Sequence, residues 1–201
     1  MTRVIGLTGG IASGKSTISE YLRQKGAVIL DADAIAWKLS RPGGAIYNAY
    51  VAHFGSSILR ADGTLNRRRI GQLVFSSPAD KAWLDEVSQP LIKAELQTRL
   101  QQKKEQGVPV ILLDVPLLFE AGWDKMTEGT CLVCADEPVQ LSRLVARNGY
   151  DRTEALARIH SQMSLAEKKR RATWIIDNNG SLSAALVQAD QLWEEWTHGL
   201  S

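Results

Sequence analysis

One stretch near the start of the chain constrains the fold more than any other: Gly9-Gly10-Ile11-Ala12-Ser13-Gly14-Lys15-Ser16-Thr17. It fits the spacing G-x-x-x-x-G-K-[ST], it follows an apolar, β-like run over residues 4–8, and it opens a helical pattern over 16–24 that stops at Gly26. Strand, glycine-rich loop and helix in that order form a phosphate cradle. Glycines let backbone N–H groups turn inward without side-chain clashes, and the helix N-terminus adds unsatisfied donors and the positive end of its dipole. Lys15 is the point charge for β- and γ-phosphates, and the Ser16 hydroxyl is a ligand for Mg²⁺.

Further short apolar runs, at 27–30, 110–113, 131–135 and 174–176, read as strands. Their unbroken apolar character, rather than alternation, predicts parallel strands covered on both faces. Helical patterns fall between them. Asp136 starts one that runs through Arg147 to Gly149. Asp151 with Glu154 opens another, and residues 182–196 carry a one-sided apolar face. The expected fold is α/β, a three-layer sandwich on a five-stranded parallel sheet. The second and third strands are some eighty residues apart, far more than one crossover needs. Helices are expected inside that excursion near 46–54, after Asn66, and from Ser77 with Pro78 at the first helical position. Gln89-Pro90 is read as a boundary before a further helix towards Lys104. The 201 residues are taken as one domain with its core at about 1–36, 107–146 and 173–201, an inserted helical lobe at about 37–106, and a lid at about 147–172.

Charge and composition exclude several classes. With 24 Lys+Arg against 22 Asp+Glu there is no large single-sign field to hold nucleic acid or an anionic membrane. The run 110–119 is interrupted by Asp114 and Pro116, so it is no membrane span, and the N-terminus has no secretory pattern; a cytoplasmic protein is expected. Cys131 and Cys134, three apart on a strand, point to opposite faces and neither chelate nor bridge. The tryptophans, Trp37 and Trp123 among them, are assigned to packing, and the run Glu167–Arg171 to a solvated helix end.

The remaining candidates are acids and arginines. Asp31-Ala32-Asp33 ends the second strand, where an open α/β sheet places its ligand crevice. Asp33 either orients an acceptor hydroxyl for in-line attack or caps the helix beginning at Ala34. Asp31 is read as its support. Asp114 is a candidate carboxylate for Mg²⁺ or a cap for the next turn. Arg143 and Arg147 share a helix face, with Arg152 and Arg158 beyond them, and arginines on a mobile flap can neutralise charge on a transferred phosphoryl group.

Taken in order, these elements resemble the dephospho-coenzyme A kinase family over nearly the whole chain: IGLTGGIASGKST, the D-A-D at Asp31 to Asp33, RPGGAIYNAYVAHFG, ADGTLNRRRIGQLVF with Arg67 at the family's arginine position, VPLLFE at 115–120, and IIDNNGS at 176–181. The resemblance implies transfer of the γ-phosphoryl of ATP, with Mg²⁺, to the ribose 3′-hydroxyl of dephospho-coenzyme A. It implies Asp33 as general base, Lys15 and Arg143 as stabilisers of transferring charge, and Arg147 and Asn178 on the ATP side. Asp33, Arg67, Gln89 and Leu117 would bind the acceptor. The expected partners are ATP and dephospho-coenzyme A, without nucleic acid or membrane, in a monomer or small homo-oligomer. Another nucleoside or nucleotide kinase, or a slow P-loop switch, stays open. Three positions depart from the family: Ala12 stands at a usual glycine, tolerable if its φ is negative; Gln89 replaces a histidine; Asn148 replaces an aspartate.

Overall fold

A computed structural model describes residues 1–199. The elements run β1 (Arg3–Gly9), α1 (Lys15–Lys25), β2 (Val28–Asp31), α2 (Ala32–Leu39), α3 (Ala45–Phe54), α4 (Arg67–Ser76), α5 (Pro78–Glu105), β3 (Val110–Asp114), β4 (Gly129–Cys134), α6 (Glu137–Asn148), α7 (Arg152–His160), α8 (Leu165–Arg171), β5 (Trp174–Asp177) and α9 (Leu182–Thr197), with 3-10 turns at Gly55–Ile58 and Trp123–Met126. The chain divides into two compact units. One comprises Met1–Leu30 and the chain from Lys103 onward; the other is Asp31–Gln102.

The five strands form one sheet in the order β2-β3-β1-β4-β5. β1 pairs in parallel with β3 and β4, and β4 with β5, as the continuous apolar runs lead one to expect. Leu7 lies opposite Asp114 on one side and Cys131 on the other, so Asp114 reaches the same end of the sheet as the loop after Gly9. On one face Ile5, Leu7, Leu112 and Val133 bury themselves against Ile18 and Leu22 of α1 and Ala185, Ala189 and Trp196 of α9. Each such aliphatic side chain contributes about 1.5–3 kcal/mol by leaving water. Tyr21 donates to Asp190 at 2.7 Å and Lys25 pairs with it at 2.7 Å, which fixes α1 against α9. The other face is so close to its cover that a Cβ on Gly6 would lie 2.6 Å from Leu118. Cys131 and Cys134 are buried and free. Burial raises both thiols, that of Cys131 well above its usual range.

Cap chemistry sets most helix ends. Gly26 takes φ 116° after α1 and Gly149 φ 68° after α6. Asp151 accepts from Glu154 N–H at 2.8 Å, and Ser164 from Glu167 N–H at 3.2 Å.

In the second unit, Ile58, Leu65, Ile70 and Leu84 form a small core with Tyr50, Phe54 and Trp83 packed around it. Trp83 stacks on His53 with ring centroids 3.7 Å apart. Two expectations fail here. The boundary at Gln89-Pro90 is absent: α5 runs for 28 residues with Pro90 inside it. Proline removes one N–H and costs about 3 kcal/mol in a helix interior. The stripe Leu84, Ile92, Leu96 and Leu100 is buried on both sides of it, and that burial exceeds the local penalty. Trp37, assigned to packing, is 55% exposed, its ring 5.2 Å from the Arg41 guanidinium. Trp123, by contrast, is buried.

Candidate functional site

The loop between β1 and α1 is shaped from its outer side. Asn178 Nδ2 donates to Ser13 O at 2.8 Å, Gln140 Nε2 to Ile11 O at 2.7 Å, and Arg143 Nη1 to both Ala12 O and Ser13 O at 3.3 Å. A trans peptide points its N–H opposite its C=O. Tying the Ile11 and Ser13 carbonyls outward therefore turns the N–H groups of Ala12 and Gly14 to the inner side. Gly14 stands at the N-cap of α1 with φ 92°, with no side-chain cap and no acid in the first turn, so the donors and the dipole of α1 are available to an anion. A Cβ at Gly14 would lie 2.1 Å from Asn178 Nδ2, and one at Gly10 2.5 Å from Gln140 Nε2. The glycines thus serve the clamp as well as the cradle.

Ala12 departs from expectation. Its φ is +58°, not negative, the one non-glycine residue with positive φ among those described. The outward carbonyl bonds on either side of it impose that angle.

Lys15 Nζ forms an ion pair with Asp114 Oδ1, both side chains largely buried. Asp114 is therefore the resting partner of the loop lysine rather than a turn cap. The Ser16 side chain is exposed beside it in sequence. A hydroxyl and one carboxylate, both hard oxygen donors, fit Mg²⁺, which binds through one or two carboxylates plus substrate phosphates and water. No cluster of three or more His, Cys, Asp or Glu that could hold a metal exists among the described residues.

The other candidates fall as follows. Arg143 Nη2 also donates to Asn178 O at 2.8 Å, so its guanidinium braces the outer side of the loop against the segment after β5. Arg147 is exposed and donates from Nε to Asn148 Oδ1 at 2.9 Å, a hydrogen bond to a neutral acceptor. Leu117 is exposed in the turn after β3. In the Asp31–Gln102 unit, Asp31 is the N-cap of α2, accepting from Ala34 N–H at 3.0 Å, so capping belongs to Asp31 and not to Asp33. Asp33 is exposed in the first turn of α2. Arg67 is the first residue of α4, and Gln89 is exposed on α5.

Sequence reasoning missed Gln140 and Gln162, which grip Ile11 from the two ends of its backbone: Ile11 N–H donates to Gln162 Oε1 at 2.9 Å. It also misjudged Lys168. That residue of the supposedly solvated run is 1% exposed and lies 3.0 Å from Glu120. The pattern S-x-x-E at Ser164 to Glu167 was the available signal for α8, and nothing local marked the lysine as buried.

A family model described as dephospho-CoA kinase matches residues 3–184. The chain is 45% identical over 191 residues to a dephospho-CoA kinase of Symbiobacterium thermophilum, covering 95% of this chain and 80% of that one. It superposes on the crystal structure of TT1252 from Thermus thermophilus with a TM-score of 0.82 at 36% identity, covering 96% of this chain and 97% of the other. On the dephospho-CoA kinase from Campylobacter jejuni the TM-score is 0.76 over 100% of both chains; at 24% identity that likeness speaks for the fold alone.

Proposed function

This chain belongs to the dephospho-CoA kinase family, and from that membership we propose how its residues share the work. It is a kinase, transferring the γ-phosphoryl of ATP to the ribose 3′-hydroxyl of dephospho-coenzyme A, the final step of coenzyme A formation. The observation that carries this reading is the extent of the match. It spans 3–184 and so includes the whole of Asp31–Gln102, not only a P-loop that many unrelated enzymes share.

The loop from Gly9 to Thr17 holds the triphosphate through the inward N–H groups of Ala12 and Gly14 and the N-terminus of α1. Lys15 exchanges Asp114 for the β- and γ-phosphates when nucleotide arrives. Ser16, with Asp114, would hold Mg²⁺, which supplies charge neutralisation to the phosphates. Arg143 keeps the loop in shape through three carbonyls and, with Lys15, answers charge developing on the transferred group, while Arg147, exposed near the end of α6, lies on the ATP side. Asn178 completes the ATP side. Asp33 takes the proton of the attacking hydroxyl, and Arg67, Gln89 and Leu117 hold the acceptor. The helical unit at Asp31–Gln102 serves as the acceptor lobe, and α7 with α8 as the lid. ATP and Mg²⁺ are cytoplasmic reagents, and no helix among the described residues is long and apolar enough to cross a membrane.

The test is to supply the purified protein with ATP, Mg²⁺ and a panel of hydroxyl acceptors. ADP release should depend on dephospho-coenzyme A, with a 3′-phosphorylated product. Release driven equally by other nucleosides would make this a broader nucleoside kinase. Slow release indifferent to any acceptor would make it a switch.

A further inference from the structure

Gln162 lies between α7 and α8, and its amide oxygen accepts the Ile11 N–H of the phosphate-binding loop at 2.9 Å. Gln140, buried on α6, holds the Ile11 carbonyl at 2.7 Å. What fixes Gln162 in turn is the next residue. Met163 N–H donates to Glu120 Oε1 at 3.0 Å, and the same carboxylate oxygen lies 3.0 Å from Lys168 Nζ. Glu120 comes from the turn after β3, so a single carboxylate pins both ends of the stretch 163–168.

The burial of Lys168 is the informative part. Lys169 and Arg170, its neighbours in the basic run, are exposed, while Lys168 is turned inward and 1% exposed. Burying the Lys168 ammonium costs desolvation that offsets its attraction to the more exposed Glu120 carboxylate, so the pair adds little net stability; the attested use of such a pair is to fix register. Here the register it fixes puts Gln162 on Ile11. The loop needs that hold, because Ala12, the next residue, sits at φ +58°, a conformation disfavoured for any residue with a Cβ.

We propose that Gln162, held in place by the ion pair of the buried Lys168 with Glu120, is a positioning residue of the kinase: it orients the Ile11 peptide and so keeps the phosphate-binding loop in its ATP-binding shape. Neither Gln162 nor Glu120 acts on substrate directly. The inference rests on the kinase reading, and the couplings run only through residues in contact: Glu120 to Met163, Gln162 to Ile11.

The test measures ATP affinity without acceptor, by titration calorimetry with Mg²⁺, and then steady-state kinetics, for wild type, Gln162→Ala, Glu120→Gln and the double variant. Losing one hydrogen bond to the loop should weaken ATP binding about five- to tenfold in Gln162→Ala. KM for ATP should rise by the same factor, and KM for the acceptor should stay within about twofold of wild type. Gln162 is only half-buried, so its variant should melt near the wild-type temperature. Glu120→Gln should weaken ATP similarly, and the double variant should be no worse than the weaker single one, because the two act in series. Gln162→Ala with ATP affinity within about twofold of wild type overturns the proposal, as does a double variant whose losses multiply. A Glu120→Gln protein that melts lower yet binds ATP normally also overturns it. Wild-type protein that binds no ATP sinks the kinase reading and this proposal together; wild-type binding alongside an unaffected Gln162→Ala sinks this proposal alone.

Discussion

Ala12 holds a left-handed backbone at φ +58° where a glycine would hold it without strain. The angle costs a residue with a Cβ about 1–2 kcal/mol. Its methyl packs beside Leu141, Leu144 and Ala155, which returns about 0.8 kcal/mol, and alanine is also less floppy than glycine when unfolded. The terms nearly cancel, which is why alanine is tolerated here. A β-branched side chain has no such balance. Ala12→Val should lose about 1–3 kcal/mol in urea unfolding, and ATP affinity should fall with it; unchanged stability would mean the angle is relaxed in solution. Asp33 is the other residue whose effect is individual. With Asp31 holding the cap of α2, Asp33→Asn should leave folding and ATP binding near normal. Its kcat should drop about 10²- to 10⁴-fold, read in an ADP-release assay. Full activity would remove it from the reaction. The residue types at both positions were visible in the sequence. The sign of a φ angle, and which of two aspartates caps a helix, were not, because both depend on how the neighbouring peptides are held.

Among the elements, α1 and α9 show how exposed polar groups reinforce a buried seam. Asp190 receives Lys25 and the Tyr21 hydroxyl, and those partners hold its carboxyl below the usual value while Lys25 is raised above its own. A depressed acid contributes stability that is present above its unfolded pKa, about 3.9, and is lost as pH falls through its lower folded value. A raised lysine contributes below its ordinary 10.5 and is lost as pH rises through its higher folded value. The difference in unfolding free energy between wild type and Asp190→Asn should therefore be constant across neutral pH and shrink at both extremes. A difference that grows below pH 4 would contradict the pairing. Helix α5 makes the opposite point about local signals. Ser77 and Pro78 announce its start correctly, with Ser77 Oγ accepting from Asp80 N–H at 3.2 Å. Pro90 suggests an end that does not occur, since tertiary burial of the stripe from Leu84 to Leu100 overrides one missing hydrogen bond.

At the scale of the molecule, the sheet is a reporter of its own opening. Cys131 and Cys134 lie in β4 within the core, their thiols raised by burial, so alkylation has to wait for unfolding. Labelling by iodoacetamide should be slow in the native protein. ATP with Mg²⁺ at about a hundred times its Kd should slow it by about a further hundredfold, because ligand stabilises only the folded form. Rapid labelling that ignores nucleotide would mean β4 opens without the loop. The strands, their parallel sense and the phosphate-binding loop were legible from the chain alone, because each is written in contiguous residues: apolar runs, glycine spacing, a lysine and a serine at a helix start. The grip on that loop was not. Gln140 and Gln162 meet Ile11 from 129 and 151 positions away, and Glu120 meets Lys168 inside a run that reads as solvated surface. Periodicity reports which residues leave water, not which distant polar group awaits them. Only when the sheet has folded and its helices have docked do these side chains find one another.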